Sequence, residues 1–520
     1  CSPAVLGIQV DVLTRACPSA PAAVAPSTGV TRLRITLTGD GLQSQTVVTD
    51  FGTGTAQIPD VPVGTGRRIV VDALAGPAVR AHADSGPFDA SGPADVHLTL
   101  FLRAIDAFTP TADASAACSK MVTPRAGHAM TLLPDGRVMI TGGFSFDGST
   151  PPQLVYHGDA EVFDPQTGQF APLVPGPTLR RADHAALPLT VSSKPAVLLA
   201  GGEGPTDPNG TGAVTAIKPL EILVGSDWSQ WTPEVSSPSR DHVAAAVDLR
   251  TGAAVLAGGQ AGPDKPGVSV YGTLSWFDPV KGSLQDAAAP LRAGLLTDAV
   301  AVARTNDSTH ATLGGVVLVG GRDGSGNVLS QVSGVVWGSA PGGSLDFIDD
   351  ATFIGSQWML PSPRTHHAAL RMPDDTVLTA GGVTAMTVGA FDYSSPTAEI
   401  TVIDPPGGRV YDLPSPLSQA RADACAVSLA DGRALFAGGA WRDDAGLHSA
   451  RNVDLVAADH SVRSPGGPDA LPDGGVLVQA RHRAACIRLR DGSVLITGGM
   501  QYPASGGTPV VLDSAEIYQP

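Results

Sequence analysis

The sequence predicts an all-β protein in which an N-terminal β-sandwich precedes a seven-bladed β-propeller. Composition points to short strands joined by turns, because 62 glycines and 44 prolines occur among 520 residues. A Gly-Gly doublet also ends an apolar run seven times, at intervals of 57 to 62 residues. A period of this length indicates a repeat architecture. The doublets begin at Gly142, Gly201, Gly258, Gly320, Gly381, Gly438 and Gly498.

The first 108 residues lack this period. They contain alternating segments such as RITLT, QTVVTD and VHLTLF, with Gly and Pro between them. This pattern favours an antiparallel, immunoglobulin-like β-sandwich over residues 1–108. Residues 109–116 are predicted to be a linker to the propeller.

Each repeat divides into four predicted strands. In the first unit, HAMTLL, RVMITGG, AEVFDP and QFAPL are separated by Asp-Gly turns and one variable loop. Four-stranded sheets with two apolar faces stack radially into a propeller, here over residues 117–520. The last unit stops at its third strand, SAEIYQP, so we expect a strand at about 117–122 to complete it and close the ring.

This motif resembles the kelch repeat over about residues 116–520. The shared features are a polar opening, an apolar strand ending in Gly-Gly and an aromatic third strand, marked here by Phe163, Phe277 and Tyr518. The resemblance implies a propeller but no particular activity, because kelch propellers serve unrelated roles.

Charged residues recur at fixed places in the repeat. Buried charges need partners, so we predict structural ion pairs between an arginine and an acidic residue of each unit. The alternative is a ring of arginines that lines the channel and binds an anion. The arginines are Arg125, Arg181, Arg292, Arg364, Arg421 and Arg481, with Arg240 displaced by one position, and the acids are Glu161, Glu221, Glu399, Asp454 and Glu516.

Histidine also recurs, at a position interpreted as part of the scaffold. It is occupied by His128, His184, His242 and His367, and elsewhere by Leu295, Ala424 and Ala484.

The cysteines indicate an exported chain with two disulfides. Cys425 and Cys486 lie on the inner strands of adjacent blades with opposite parity, which predicts a bond across that interface. Cys17 and Cys118 remain as a second pair, joining the first domain to the closing strand.

Cys1 and Ser2 open the chain as in a mature bacterial lipoprotein. That resemblance implies acyl chains on Cys1 and a membrane anchor at the outer membrane or cell surface, with a periplasmic or extracellular location as the alternative. The net charge of −16 argues against nucleic acid as a partner.

Function is expected where the units differ, in the loops after Gly-Gly. Aromatic residues and arginine are frequent interface anchors, so the leading hypothesis is a protein partner bound by these loops. A carbohydrate-binding propeller is the alternative, and no metal or other cofactor is predicted. The candidate residues are Tyr156, His157, Tyr271, Phe391, Tyr393, Trp441, Arg442 and Tyr502.

Two acidic loops and one enzyme family offer alternatives to this hypothesis. DPNGTG (207–212) and DGSGN (323–327) have calcium-loop spacing but lack the closing glutamate, which favours Asx turns. A sandwich followed by a propeller also resembles the galactose oxidase family, whose copper site needs two Tyr and two His, with one of the two Tyr cross-linked to a Cys. No cysteine lies between Cys118 and Cys425, and no GxSxG, HExxH or phosphate-loop motif occurs, so we predict no enzymatic activity.

Overall fold

The protein is all-β in a computed structural model. The structure describes residues 5–13, 17, 29–52, 55–91, 96–115, 117–205, 207, 210, 212–225, 227–231, 238–305, 315–339, 345–350, 353, 355–387, 393–464, 475–503 and 506–520. Helical structure in these residues includes the short 3-10 turn Ser356–Trp358. None of it is long and apolar enough to cross a bilayer.

The N-terminal part folds into two sheets. In the smaller sheet, of order β4-β1-β8, β1 runs antiparallel to β4 and parallel to β8. The larger sheet has the order β3-β2-β5-β6-β9, and β7 pairs with β5. These strands are β1 (Val5–Leu13), β2 (Arg32–Thr38), β3 (Gln45–Asp50), β4 (Thr55–Pro62), β5 (Gly64–Ala75), β6 (Ala78–Asp84), β7 (Phe88–Ala90), β8 (Val96–Phe101) and β9 (Arg103–Ala104).

One hydrophobic core joins the two sheets. Ile8 and Val10 of β1 are buried in the same cluster as Leu33, Ile35 and Val71 of the larger sheet. Burial alternates along β2, because successive side chains of a strand point to opposite faces. The alternating pattern in the sequence therefore marks the residues that the two layers bury between them.

The repeats form seven antiparallel four-stranded sheets among the described residues, numbered 1 to 7 by unit. Their strands, in sheet order, are β11 (Ala129–Leu132), β12 (Val138–Thr141), β15 (Ala160–Asp164) and β16 (Gln169–Pro172); β17 (Ala185–Val191), β18 (Lys194–Ala200), β21 (Leu220–Val224) and β22 (Asp227–Trp231); β23 (Ala244–Val247), β24 (Ala254–Ala257), β25 (Leu274–Asp278) and β26 (Ser283–Asp286); β27 (Val300–Ala303), β28 (Gly315–Val319), β29 (Val332–Ser339) and β30 (Leu345–Asp349); β31 (Ala368–Arg371), β32 (Val377–Ala380), β33 (Ile400–Asp404) and β34 (Arg409–Asp412); β35 (Cys425–Ser428), β36 (Ala434–Ala437), β39 (Val453–Val456) and β40 (Val462–Arg463); and β41 (Ala485–Arg488), β42 (Val494–Thr497), β45 (Ala515–Gln519) and β10 (Ala107–Pro110).

Within the described residues, four of the units add a small hairpin between their second and third strands. Each begins within three residues of the Gly-Gly doublet. The hairpins are β13 (Phe144–Phe146) with β14 (Leu154–Tyr156), β19 (Glu203–Pro205) with β20 (Val214–Ala216), β37 (Ala440–Asp443) with β38 (Gly446–Ser449), and β43 (Met500–Gln501) with β44 (Val510–Val511).

The first strands of the sheets contact one another in a cycle. Each contacts the first strand of the next sheet, and β41 of sheet 7 contacts β11 of sheet 1. Hydrogen bonds join the sheets in the same order: the Gly143 amide donates to the Arg181 carbonyl at 2.8 Å, and the Gly499 amide donates to the Arg125 carbonyl at 2.9 Å. The last sheet is thus bonded back to the first.

The Gly-Gly doublets occur where neighbouring sheets approach most closely. Gly142 and Gly143 both have positive φ, at 60° and 89°. A Cβ on Gly142 would lie 2.3 Å from the carbonyl oxygen of Arg181 in the next sheet. Only glycine fits such a contact, which explains why the doublet recurs.

Five of the predicted ion pairs form within their own units. Arg125 contacts Glu161 at 2.6 Å and Arg421 contacts Asp454 at 2.6 Å, all four side chains being almost fully buried. The arginines also bond the doublet, as in the donation from Arg125 Nη1 to the Gly142 carbonyl at 2.7 Å. The remaining pairs are Arg181–Glu221, Arg364–Glu399 and Arg481–Glu516. These contacts confirm the structural interpretation of the repeated charges.

Units 3 and 4 depart from this pattern. Arg240 keeps the repeated place and donates to the Ser275 hydroxyl at 2.7 Å. The assignment of Arg292 to that place was wrong, because its exposed side chain pairs with Asp349. Leu296 occupies the position instead: its carbonyl accepts from Gly259 as the Arg181 carbonyl accepts from Gly143.

Among the described residues, the predicted closing segment at about 117–122 bridges the chain beside the last strand only at Lys120↔Ser514 and is not the outer strand of sheet 7. The outer strand of sheet 7 is β10, which lies inside the predicted linker and first domain and pairs with β45 from Ala107↔Gln519 to Pro110↔Glu516. The chain then turns back on itself, bridging Ala112 to Cys118. This detour lengthens the segment before Arg125, so spacing from the arginine pointed to the wrong residues.

Both predicted disulfides are present. Cys425–Cys486 joins the first strands of sheets 6 and 7, and Cys17–Cys118 joins the N-terminal part to the segment before sheet 1. The second bond holds the detour after β10 rather than a closing strand. Cys1 lies outside the described residues.

Candidate functional site

Seven equivalent residues meet at the start of the first strands, two positions after the repeated arginine or its Leu296 substitute. All have left-handed backbones, with φ between 51° and 60°. We call this set the polar ring, and it consists of Gly127, Asp183, His242, Asp298, His366, Asp423 and Arg483.

Backbone hydrogen bonds link the members of the polar ring from sheet to sheet. The Asp183 amide donates to the Gly127 carbonyl at 2.8 Å, and the Asp423 amide donates to the His366 carbonyl at 2.9 Å. The Gly127 amide in turn donates to the Arg483 carbonyl at 3.3 Å. The ring therefore crosses the join between sheets 7 and 1, and its left-handed backbone makes this pattern possible.

A cavity of about 360 Å³ lies over the polar ring. Its walls add the residues that follow the ring members, including His128, His184 and His367. In every unit, the residue before the ring member bridges the residue after Gly-Gly, as Ala126 bridges Phe144. The variable segments 144–159, 203–219, 260–273, 322–331, 383–399, 440–452 and 500–514 therefore leave the sheets at this end, and we call them the loop face.

Charges alternate around the polar ring. Three aspartates in units 2, 4 and 6 alternate with His242, His366 and Arg483 in units 3, 5 and 7. Charges cannot alternate completely around a ring of seven positions. The unmatched position, in unit 1, is Gly127, which has no side chain. Arg483 reaches past it to pair with Asp183. A Cβ on Gly127 would lie 2.7 Å from the Asp183 carboxylate, so glycine keeps that contact open.

Asp423 is bonded by two side chains. It accepts from His366 Nδ1 at 2.9 Å and from the Tyr393 hydroxyl at 2.5 Å. Burial raises its pKa, but the charges of His366 and Arg483 outweigh burial and hold the pKa well below its ordinary value. This carboxylate is thus ionised and orients the His366 ring.

His242 lies between two carboxylates. Its Nδ1 donates to Asp241 at 2.7 Å, and its Nε2 lies 3.7 Å from Asp298 Oδ1. Burial lowers the pKa of the His242 ring, but Asp241 and Asp298 together raise it well above its ordinary value. The same balance raises the pKa of His366 beside Asp423. Both imidazoles therefore hold a second proton more readily than a free imidazole does.

A protonatable carboxyl borders the ring. Glu203 is 8% exposed and accepts from the Tyr156 hydroxyl at 2.6 Å. Burial, followed by the charges of Asp241 and Asp183, raises its pKa to about 7. Tyr156 therefore faces inward rather than toward a partner.

The shared histidine position was partly misassigned. His128 and His184 are equivalent, and each bonds a threonine of the preceding sheet, Thr497 at 2.8 Å and Thr141 at 2.9 Å. His242 lies one position earlier and belongs to the polar ring, and Val243 occupies the shared place. The error came from treating Arg240 as displaced by one position, which moved His242 into the shared place. Arg240 is in fact in register, so His242 stands one position before that place.

The candidate loop residues divide into a buried and an accessible set. Tyr156, Tyr393 and Tyr502 are 5%, 3% and 9% exposed, so the expectation that they are surface anchors was wrong. Tyr502 stacks on His482 at 4.8 Å, next to the ring. Packing of this kind covers the tyrosine faces and leaves little of them for a partner.

The other candidates keep some exposure. His157 bonds Ser145 and Trp441 stacks on His448 at 5.0 Å, while Arg442 is exposed and Tyr271 is half-buried. Phe391 lies outside the described residues. The polar ring itself was missed, although part of its signal was available: in six of the seven units a charged or histidine residue of changing type stands two positions after the repeated arginine or Leu296.

The proposed calcium loops have different outcomes. Asp323 accepts from the amides of Ser325 at 2.8 Å and Asn327 at 2.9 Å, which is an Asx turn. Several residues of 207–212 lie outside the described set. Within that set, no group of three or more His, Cys, Asp or Glu residues is placed to hold a metal ion.

Comparisons with known proteins give little beyond the fold class. No protein-family model matches the chain, and no curated protein matches it. Among solved structures, the chain is similar to one described as "Structure of YjhT", with a TM-score of 0.43 and 15% identity, over 67% of this chain and 99% of that chain. A similarity of this size carries no argument about function.

Proposed function

We propose that the repeats form a seven-bladed propeller of the kelch type and that the N-terminal sheets form an immunoglobulin-like sandwich. The cyclic contacts of the first strands and the return bond from Gly499 to Arg125 support the first assignment. Two sheets that bury one shared hydrophobic core between them support the second.

We propose that the protein is a non-catalytic binding protein whose loop face docks a protein partner. The supporting observation is a set of exposed apolar residues at hairpin tips: Leu154, Val155 and Val510 are 40%, 36% and 57% exposed. Phe146 and Val511, from the same two hairpins, pack on one buried cluster, so the hairpins are neighbours. Grouped exposed apolar side chains are typical of interaction surfaces.

Photo-crosslinking in the native cell tests this docking surface. A crosslinking residue at Leu154 or Val510 should give a discrete adduct with one protein. The same residue at Val280, which is 86% exposed on a turn between outer strands of sheet 3, is the matched control and should give none. Adducts at all three positions, or at none, would contradict the proposal.

The two disulfides support an oxidising compartment. We therefore propose that the protein works outside the cytoplasm, in the envelope or at the cell surface. Acylation of Cys1 and anchoring to a membrane stay predictions, and mass spectrometry of the N-terminal peptide from the native source checks them.

A further inference from the structure

The polar ring keeps charged side chains where a scaffold needs none. Gly127 shows that glycine suits this left-handed position, yet the other six members carry Asp, His or Arg. Non-glycine residues in this backbone region are strained, and such strain often accompanies function. We therefore attribute the presence of these six side chains to the contacts that they make in the cavity.

Two donors of the ring point to unfilled hydrogen-bonding capacity. His366 Nε2 has no hydrogen-bond partner among the described residues, and His242 Nε2 lies 3.7 Å from Asp298, beyond a hydrogen bond. The two side chains are 19% and 18% exposed and line the cavity. The adjacent His367 also lines it, is 6% exposed, and has no partner on either nitrogen.

The charges of the ring decide the class of ligand. Three carboxylates alternate with Arg483 and two histidines, and Arg322 behind the ring pairs with Asp298. An anion would therefore meet the aspartates, and a cation would meet Arg483 and the histidine N–H groups. A hydroxyl group both donates and accepts. Neighbouring hydroxyls on one molecule can therefore match alternating acceptors and donors, and a cavity of about 360 Å³ is in the size range of ligand pockets.

We propose that the cavity over the polar ring binds a neutral polyhydroxylated molecule, a monosaccharide or the terminal sugar of a glycan. Its hydroxyls would accept from His242 and His366 and donate to Asp183, whose side chain is 18% exposed. Asp298 is only 5% exposed and already accepts from Arg322 Nε at 2.7 Å. This site is separate from the protein-docking hairpin tips, so each proposal can fail without the other.

The test is calorimetric titration of the full oxidised chain with D-glucose, D-galactose, D-mannose, L-fucose and myo-inositol, together with a glycan array. At least one sugar should bind at a single site. Array binding that the free sugar competes away identifies a terminal glycan residue, whereas binding of the free sugar alone identifies a soluble ligand. No binding in either format would overturn the proposal.

Two variants locate the binding site. His366→Leu removes the Nε2 donor, and Ala424→Phe fills the cavity without changing charge, since Ala424 lines it; each should weaken binding at least about tenfold. Arg292→Met removes an exposed charge elsewhere and should leave affinity unchanged. Circular dichroism checks that every variant is folded. Unchanged affinity in both the His366 and the Ala424 variant would overturn the assignment. Leu154→Asp, at the hairpin surface, should not affect sugar binding.

Discussion

At the residue scale, the same repeat contains two kinds of charge with different solvent access. Arg421 and Asp454 are 0% exposed and bonded only within the protein, whereas His366 of the polar ring is 19% exposed toward the cavity. Buried pairs hold the sheet to its Gly-Gly doublet. Partly exposed charges at the ring remain available to solutes.

Removal of one buried charge should be costly. Arg421→Met leaves the Asp454 carboxylate without its cation, and breaking a buried pair costs about 3–5 kcal/mol. Arg409→Met removes a pair whose arginine is 65% exposed, which should cost at most about 1 kcal/mol. Urea unfolding of both variants measures the difference, and equal losses would contradict the scaffold role of Arg421.

Stability should fall as pH decreases below about 6.5. Burial lowers the pKa of His128 and His367 to about 3 and that of His482 to about 4. Below pH 6.5 the unfolded chain binds protons on these imidazoles and the folded chain does not. Each of the three histidines therefore lowers the free energy of unfolding by up to about 1.4 kcal/mol per pH unit. Glu203 acts in the opposite direction: because its pKa in the folded chain is raised to about 7, its contribution to stability grows as pH falls.

Above about pH 6.5 the slope should reverse. His242 and His366 have raised pKa values, so their contribution is complete below the unfolded value and is lost as pH rises through the folded values. Glu203 adds to the loss. Chemical unfolding from pH 4.5 to 9 should therefore show a maximum between pH 6 and 7, and a monotonic rise with pH would contradict these assignments.

At the element scale, strands were easier to predict than the joints between them. Second strands such as VMIT in β12 and AVLA in β24 are buried along their whole length and stand out as apolar runs. The closing strand β10 does not stand out in this way, because its sequence, AFTP, is short. The detour to Cys118 also changes the distance in sequence between β10 and Arg125. Local sequence carries no sign of a pairing partner more than 400 residues away.

The identity of the closing strand can be tested by truncation. Phe108 is 0% exposed and lies 4.9 Å from the Tyr518 ring, so Phe108→Ala should cost about 3–5 kcal/mol. Val122→Ala, in the segment predicted from sequence, changes a side chain that is 60% exposed and should cost little. Thermal unfolding that ranks the two in the reverse order would restore 117–122 as the closing strand.

The disulfide between sheets 6 and 7 should also stabilise the fold. Cys425 and Cys486 are 61 residues apart, and chain-entropy arguments give about 4 kcal/mol for a loop of that length. The double variant Cys425→Ser/Cys486→Ser should unfold at lower denaturant concentration. A midpoint equal to that of the oxidised wild type would show that the bond does not form.

At the scale of the whole molecule, repetition made the architecture predictable and concealed the site. Residues that recur with the period, such as the doublets and most of the arginines, can be recognised as scaffold from the sequence alone. The polar ring also occupies one position per unit, but its identity changes from Asp183 to His242 to Arg483. Its alternation of charge is visible only when the units stand side by side around a centre.

Site-resolved amide hydrogen exchange tests the closed cycle of seven sheets most directly. The Gly499 amide donates to Arg125 across the join between sheets 7 and 1, and the Gly439 amide donates to Arg481 across the interior joint between sheets 6 and 7. If the cycle closes, the two amides should exchange at similarly slow rates. Exchange at Gly499 that is orders of magnitude faster than at Gly439 would show an open join and contradict the account.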